Sequence, residues 1–120
     1  MVDYSQYVQG YKKRMKKEKK EQDKLFKELN LRARKAAKSL GEEFKVDKIY
    51  LFGSLNNRDK FHKHSDIDLA VEGLDVKKYI KAWGVLEKKL NHSFDLVQLE
   101  KAHQPLKEII EKEGVVIYES

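Results

Sequence analysis

From Tyr4 to Leu40 the chain has no proline, and its one glycine is Gly10. No other stretch restricts the fold as much. Leu25, Leu29, Ala33, Ala36 and Leu40 recur at three- and four-residue steps, which predicts a helix with one apolar stripe. Gly41 stands where such a helix would stop. Tyr4, Val8, Tyr11 and Met15 step in the same way, and the register runs on through Glu18 and Gln22. An unbroken helix of about 37 residues would be about 55 Å long, more than a small domain is wide. Either it breaks between Gly10 and Glu21, or its first half projects. A projecting extension that frays or docks on a partner is the expectation, with residues 1–24 outside a domain built from residues 25–120.

Charge divides the chain at nearly the same place. Residues 1–40 carry 13 Lys/Arg against 5 Asp/Glu, whereas the remaining 80 carry 13 against 15. The net charge of +6 therefore comes from the helical segment alone. A basic segment of this kind suits nucleic acid or an acidic protein partner, or serves only as a solvated face. At 120 residues the chain fits one domain with one modest core. The lack of cysteine excludes disulfide scaffolds, thiolate zinc sites and cysteine nucleophiles. No apolar run approaches the ~20 residues of a membrane span, and MVDYSQYVQG has no signal-peptide core. A soluble cytoplasmic protein is expected.

Past Val46 the pattern turns to short strands. Ile49–Phe52 is an apolar run ended by Gly53, and Leu55 to Ser65 reads as a polar loop. Asp66–Val71 reads as a second strand. Asp75 is placed to cap a helix to Leu90, with Val76, Tyr79, Ile80, Trp83, Leu86 and Leu90 on one side. Phe94–Leu99 is a third strand, Pro105 opens a helix that Gly114 stops, and Val115–Tyr118 closes the chain as a fourth. The order α-β-loop-β-α-β-α-β predicts an α+β sandwich, one sheet covered by helices.

Three features within this frame carry chemistry. Gly53-Ser54 follows a strand directly: glycine lets backbone approach a ligand, and the hydroxyl sits beside amides suited to a phosphate oxygen. Asp66 and Asp68 flank Ile67, so their carboxylates share one side of the strand while Ile67, Leu69 and Val71 face the core. Asp is poor strand material, and two like charges ~5 Å apart repel by about 1–3 kcal/mol at intermediate dielectric. A hard divalent cation removes that repulsion, and magnesium favours carboxylates combined with substrate phosphates. Asp95, within Phe94-Asp95-Leu96-Val97, is a third acid in an apolar strand, expected to be buried and therefore paired or metal-bound. The spacing from Asp68 allows a crossover that returns the third strand beside the second. Three acids near a phosphate-binding turn suit two-metal phosphoryl or nucleotidyl transfer.

Leu51-Phe52-Gly53-Ser54, eleven residues, then Asp66-Ile67-Asp68-Leu69-Ala70-Val71, and further on Phe94-Asp95-Leu96-Val97, resembles the minimal nucleotidyltransferases of the DNA polymerase β superfamily. The resemblance spans about Val46 to Tyr118. It implies a palm-like mixed sheet of about four strands flanked by helices. Gly53 and Ser54, with Arg58 and Ser65, would bind the nucleotide, and Asp66, Asp68 and Asp95 would be the catalytic residues and hold two Mg²⁺ ions. ATP would be the substrate, with AMP passed to an acceptor hydroxyl and pyrophosphate released. Small members of the family act as antitoxins beside a HEPN-domain ribonuclease toxin, adenylylating one of its tyrosines, which implies a toxin partner and a homo- or hetero-oligomer. The chain departs from the family pattern in the loop: Arg58 is fourth after Ser54 where third is usual, and Asp59 replaces a glycine.

Two other functions fit the same residues. One is a module that neutralises a toxin by contact without catalysis; the other is a transferase acting on RNA ends or small molecules, guided by the basic segment. Elsewhere, His62 and His64 read as solvated, and Lys60 and Lys63 could screen a triphosphate. His92 and His103 read as structural or exposed, Trp83 and Tyr50 as packing. Tyr4, Tyr7 and Tyr11 suit partner docking or disorder better than base stacking.

Overall fold

The computed structural model describes residues 3–120. Its elements are α1 (Ser5–Phe44), β1 (Lys48–Phe52), β2 (Ile67–Glu72), α2 (Tyr79–Leu90), β3 (Phe94–Gln98), α3 (Gln104–Glu113) and β4 (Val115–Glu119), in the expected order. The sheet order is β3-β2-β1-β4. β1 is antiparallel to both neighbours, whereas β2 and β3 run parallel through the α2 crossover. The result is a mixed four-stranded sheet flanked by three helices.

Side-chain alternation assigns the two faces. Ile49, Leu51, Ile67, Leu69, Val71 and Leu96 point into the main core beneath α1 and α2. Tyr50, Ala70 and Val97 point the other way, against α3 through Leu106 and Ile110. Fully burying one such Leu or Ile contributes about 1.5–3 kcal/mol, so the main core under α1 and α2 dominates stability.

Three sequence expectations need correction. Gly41 does not end α1, which continues to Phe44 and stops where Lys45 turns left-handed at φ 54°. The glycine is there because the Tyr118 ring of β4 lies where its Cβ would be. On α2 the buried side is Ala82, Leu86 and Leu90, joined by Tyr79; Ile80 is 83% exposed and Val76 also faces outward. Trp83 is partly exposed, with its ring packed on Phe94 at 4.9 Å between centroids. Finally, the 55–65 loop is not simply polar. Leu55 and Phe61 are buried, and Phe61 meets Phe26 of α1 edge-on at 5.2 Å.

Helix α1 is unbroken over its 40 residues. Residues 3–21 are exposed throughout, and burial begins at Gln22. The first half therefore projects, and stretches the molecule to 69 × 30 × 20 Å.

Candidate active site

The site forms where β1 ends and β2 and β3 begin. Phe52 pairs with Asp68 across the antiparallel ladder, and Asp68 pairs with Asp95 across the parallel one. Because both acids occupy the face opposite the main core, they stand side by side beyond the Ala70–Val97 row that α3 covers. Asp66 precedes the strand; it is exposed, and its carboxylate accepts a hydrogen bond from Ser93 Oγ.

Gly53 turns the chain out of β1 at φ +78°, and its α-carbon faces the Asp68 carboxylate with no room for a Cβ. Residues Gly53–Asn56 form a short 3₁₀ turn, closed by the Asn57 amide donating to the Ser54 carbonyl at 3.0 Å. The opening amides of such a turn have no partner inside it. Asn30 of α1 braces the turn from below, donating to the Leu55 carbonyl at 3.1 Å.

The carboxylates act on one another. Half-burial, then the charges of Asp66 and Asp95, push the Asp68 carboxyl up to about 6. Tyr79 is also drawn in: burial and the Asp95 charge raise its phenol above the ordinary value, while its hydroxyl donates to the Leu96 carbonyl at 2.6 Å. Asp95 itself is exposed rather than buried, since it stands on the edge strand β3, beyond the Val97 row that α3 covers. Its charge is thus available to a ligand instead of being neutralised in the core.

No three His, Asp or Glu side chains among the described residues close by themselves into a metal cage. The donor set fits magnesium nonetheless. The three acids are hard oxygen donors, Asp68 and Asp95 on adjoining strands and Asp66 just ahead of β2, and their mutual repulsion at Asp68 is what a divalent cation relieves; Mg²⁺ needs only one or two carboxylates, completing its shell with phosphates and water.

Beside Gly53 opens a cavity of about 540 Å³, lined by Phe52, Gly53, Ser54 and Lys60 on one side and by Leu106, Ile109 and Glu113 of α3 on the other. The α3 wall was not legible in the sequence, because only the fold brings that helix to the turn. Two expected nucleotide residues are directed elsewhere. Arg58 donates to the Asp23 carboxylate of α1 at 2.5 Å and to the Lys19 carbonyl at 3.4 Å. Ser65 is buried, its Oγ accepting from the His62 amide at 3.0 Å and its carbonyl touching His92 Nε2 at 2.8 Å. His103 caps α3 through Leu106 N, as a structural histidine would.

A model of the family "Polymerase beta, Nucleotidyltransferase" matches residues 34–120. Among solved structures, the chain is similar to one of a toxin–antitoxin with AMP-PNP, at TM-score 0.61 and 28% identity over 72% of this chain and 73% of that one. It is similar to the MntA–HepT toxin–antitoxin structure at TM-score 0.57 and 26% identity, over 76% and 73%. A third structure holds a tri-AMPylated Shewanella oneidensis HEPN toxin in complex with an MNT antitoxin, with TM-score 0.58 and 26% identity over 77% and 73%. No curated protein sequence matches the chain. With more than two thirds of its length under the family model, the chain belongs to the polymerase β nucleotidyltransferase family.

Proposed function

We propose that this protein transfers AMP from ATP to a hydroxyl of a partner protein, most simply a tyrosine of a HEPN ribonuclease toxin, and so acts as its antitoxin. The observation that carries the reading is the pairing of Asp68 with Asp95 beside the Gly53-Ser54 turn, with the charge of Asp66 felt at Asp68. The similarity to toxin–antitoxin structures, one with AMP-PNP and one with an AMPylated toxin, supports the choice of nucleotide and acceptor.

Asp66, Asp68 and Asp95 would hold the magnesium ions, which when bound neutralise triphosphate charge and favour loss of the acceptor proton. This chain's own groups do the rest. The Gly53-Ser54 turn binds the outer phosphates through its amides and hydroxyl, and the cavity beside it takes the nucleoside. Asp95, exposed at the sheet edge, accepts the proton of the incoming hydroxyl. The hydroxyl oxygen bonds to the α-phosphorus, the bond to the bridging oxygen breaks, and pyrophosphate leaves. Lys60 lies on the cavity wall where departing phosphate charge collects.

The test is label transfer from ATP carrying the label on its α-phosphate, with Mg²⁺, in an extract of the source organism. A labelled protein band is expected with wild type and none with the Asp66→Ala/Asp68→Ala variant. Equal labelling by the two would overturn the proposal, and a labelled RNA would move the acceptor to nucleic acid.

A further inference from the structure

We propose that the projecting half of α1 is the docking arm for the acceptor protein, which offers it an apolar groove rimmed by acidic side chains. This rests on the reading above that the acceptor is a protein. Tyr4, Tyr7, Val8, Tyr11 and Met15 are each about half to three-quarters exposed. At 100° per residue they fall on one side of the helix, in line with Leu25, Leu29 and Leu40. The register that packs on the core farther along the helix thus resumes outward past Gln22 and Glu18, and there its apolar side chains stand exposed. An apolar side of this extent on an otherwise charged helix is the pattern of a helix that lies in a groove.

Charge selects the occupant. Between residues 12 and 20 stand seven Lys/Arg and one Glu, and the basic residues surround the stripe without entering it. Two arms paired side by side would bring these like charges together, which disfavours a second copy. Nucleic acid would meet its phosphates on the basic flanks, where there is no aromatic to stack on a base. A protein groove, apolar at its floor and acidic at its rim, satisfies both parts at once.

The arm's root leads to the chemistry. A cavity of about 360 Å³ is lined by Glu18, Glu21, Gln22, Leu25 and Lys63, and a cleft that shares Glu18 and Gln22 with it includes Met15, Asp23 and Arg58. Arg58 and Phe61 bind the 55–65 loop to α1 at this point, and the same loop begins at the Gly53-Ser54 turn. A protein seated along the stripe therefore reaches the loop that borders the active site.

The experiment uses the full chain, wild type and a variant with Tyr7→Gln, Val8→Gln, Tyr11→Gln and Met15→Gln, with the acceptor protein identified by its label and then purified. A loss of about 100-fold in kcat/KM for the acceptor is expected, carried by KM, with kcat within about 3-fold, as for removal of a cluster of anchoring side chains. Leucine at the four positions should restore most of it. Magnesium-dependent ATP binding and the melting temperature should not move, because the stripe is exposed. Equal labelling of the acceptor by wild type and the glutamine variant overturns the docking role and leaves the transferase reading standing. No labelled protein from wild type, with ATP binding intact, fails that reading and removes this proposal with it. Two further results would overturn it: loss of binding to a mixed-sequence single-stranded RNA with acceptor labelling unchanged, or conversion of a wild-type dimer to monomer with labelling unchanged.

Discussion

The α-carbon of Gly53 faces the carboxylate of Asp68 so closely that no side-chain atom fits between them. The turn that would receive phosphate and the acid that would receive metal are therefore one unit. Gly53→Ala has two costs: a backbone at φ +78° that alanine avoids, and a methyl group driven into Asp68. Expected is a loss of about 1–3 kcal/mol in urea unfolding and of at least about 100-fold in transfer, whereas Ser54→Ala keeps full stability. A Gly53→Ala protein with normal transfer would contradict the arrangement.

Asp68 sets a pH dependence of stability. Its folded carboxyl is held at about 6 against an ordinary 3.8, so the folded state binds the proton more tightly. That contribution is present in full below about pH 4 and is lost as pH rises through 6. Asp68→Asn should then raise stability at pH 7–8 by roughly 1–2 kcal/mol, after discounting a half-buried site for solvent screening, and by almost nothing at pH 4. The same substitution should abolish transfer. Chemical unfolding at the two pH values checks the sign, and Mg²⁺ should stabilise wild type more than the variant at pH 7–8.

Two glycines of one helix should respond oppositely to alanine. Gly10 has open space around its Cβ position, so Gly10→Ala gains about 0.5–1 kcal/mol of helix propensity. At Gly41 the added methyl meets the Tyr118 ring, and overpacking of about 1–3 kcal/mol exceeds that gain. Paired thermal melts of the two variants test the packing directly.

Arg58→Ala should cost less than about 1 kcal/mol, since its pair with Asp23 is substantially exposed. With the guanidinium engaged on α1, KM for ATP is expected to stay within about 3-fold. A large rise in that KM would mean that the side chain leaves Asp23 for the triphosphate. Titrating ATP against both proteins distinguishes the two.

The strands and the acid pair were legible because their signals are local. Alternation about Ile67 assigns Asp68 to the face opposite the core, and the parallel pairing of Asp68 with Asp95 follows from the helical crossover. What the sequence hid was set by distant neighbours. Whether Asp95 is buried depends on β3 lying at the edge, and Gly41 reads as a stop until Tyr118 is seen against it. The apolar positions about α2 outnumber those the core takes, so Ile80 on the helix and Val76 in the turn ahead of it are left outside. Phe61, buried in a loop of charged residues, ties that loop to α1 with no periodicity to announce it.

Because α1 passes from the exposed arm into the core with no break, the arm's azimuth is locked to the sheet by the pitch of the helix. One residue inserted near Lys20 would advance the stripe by only about 1.5 Å but swing it through about 100°. Seven would lengthen the arm by about 10 Å and return the stripe to within about 20° of its bearing. Whatever meets that stripe reads an angle as well as a surface, and a length change of seven residues should be better tolerated than a change of one.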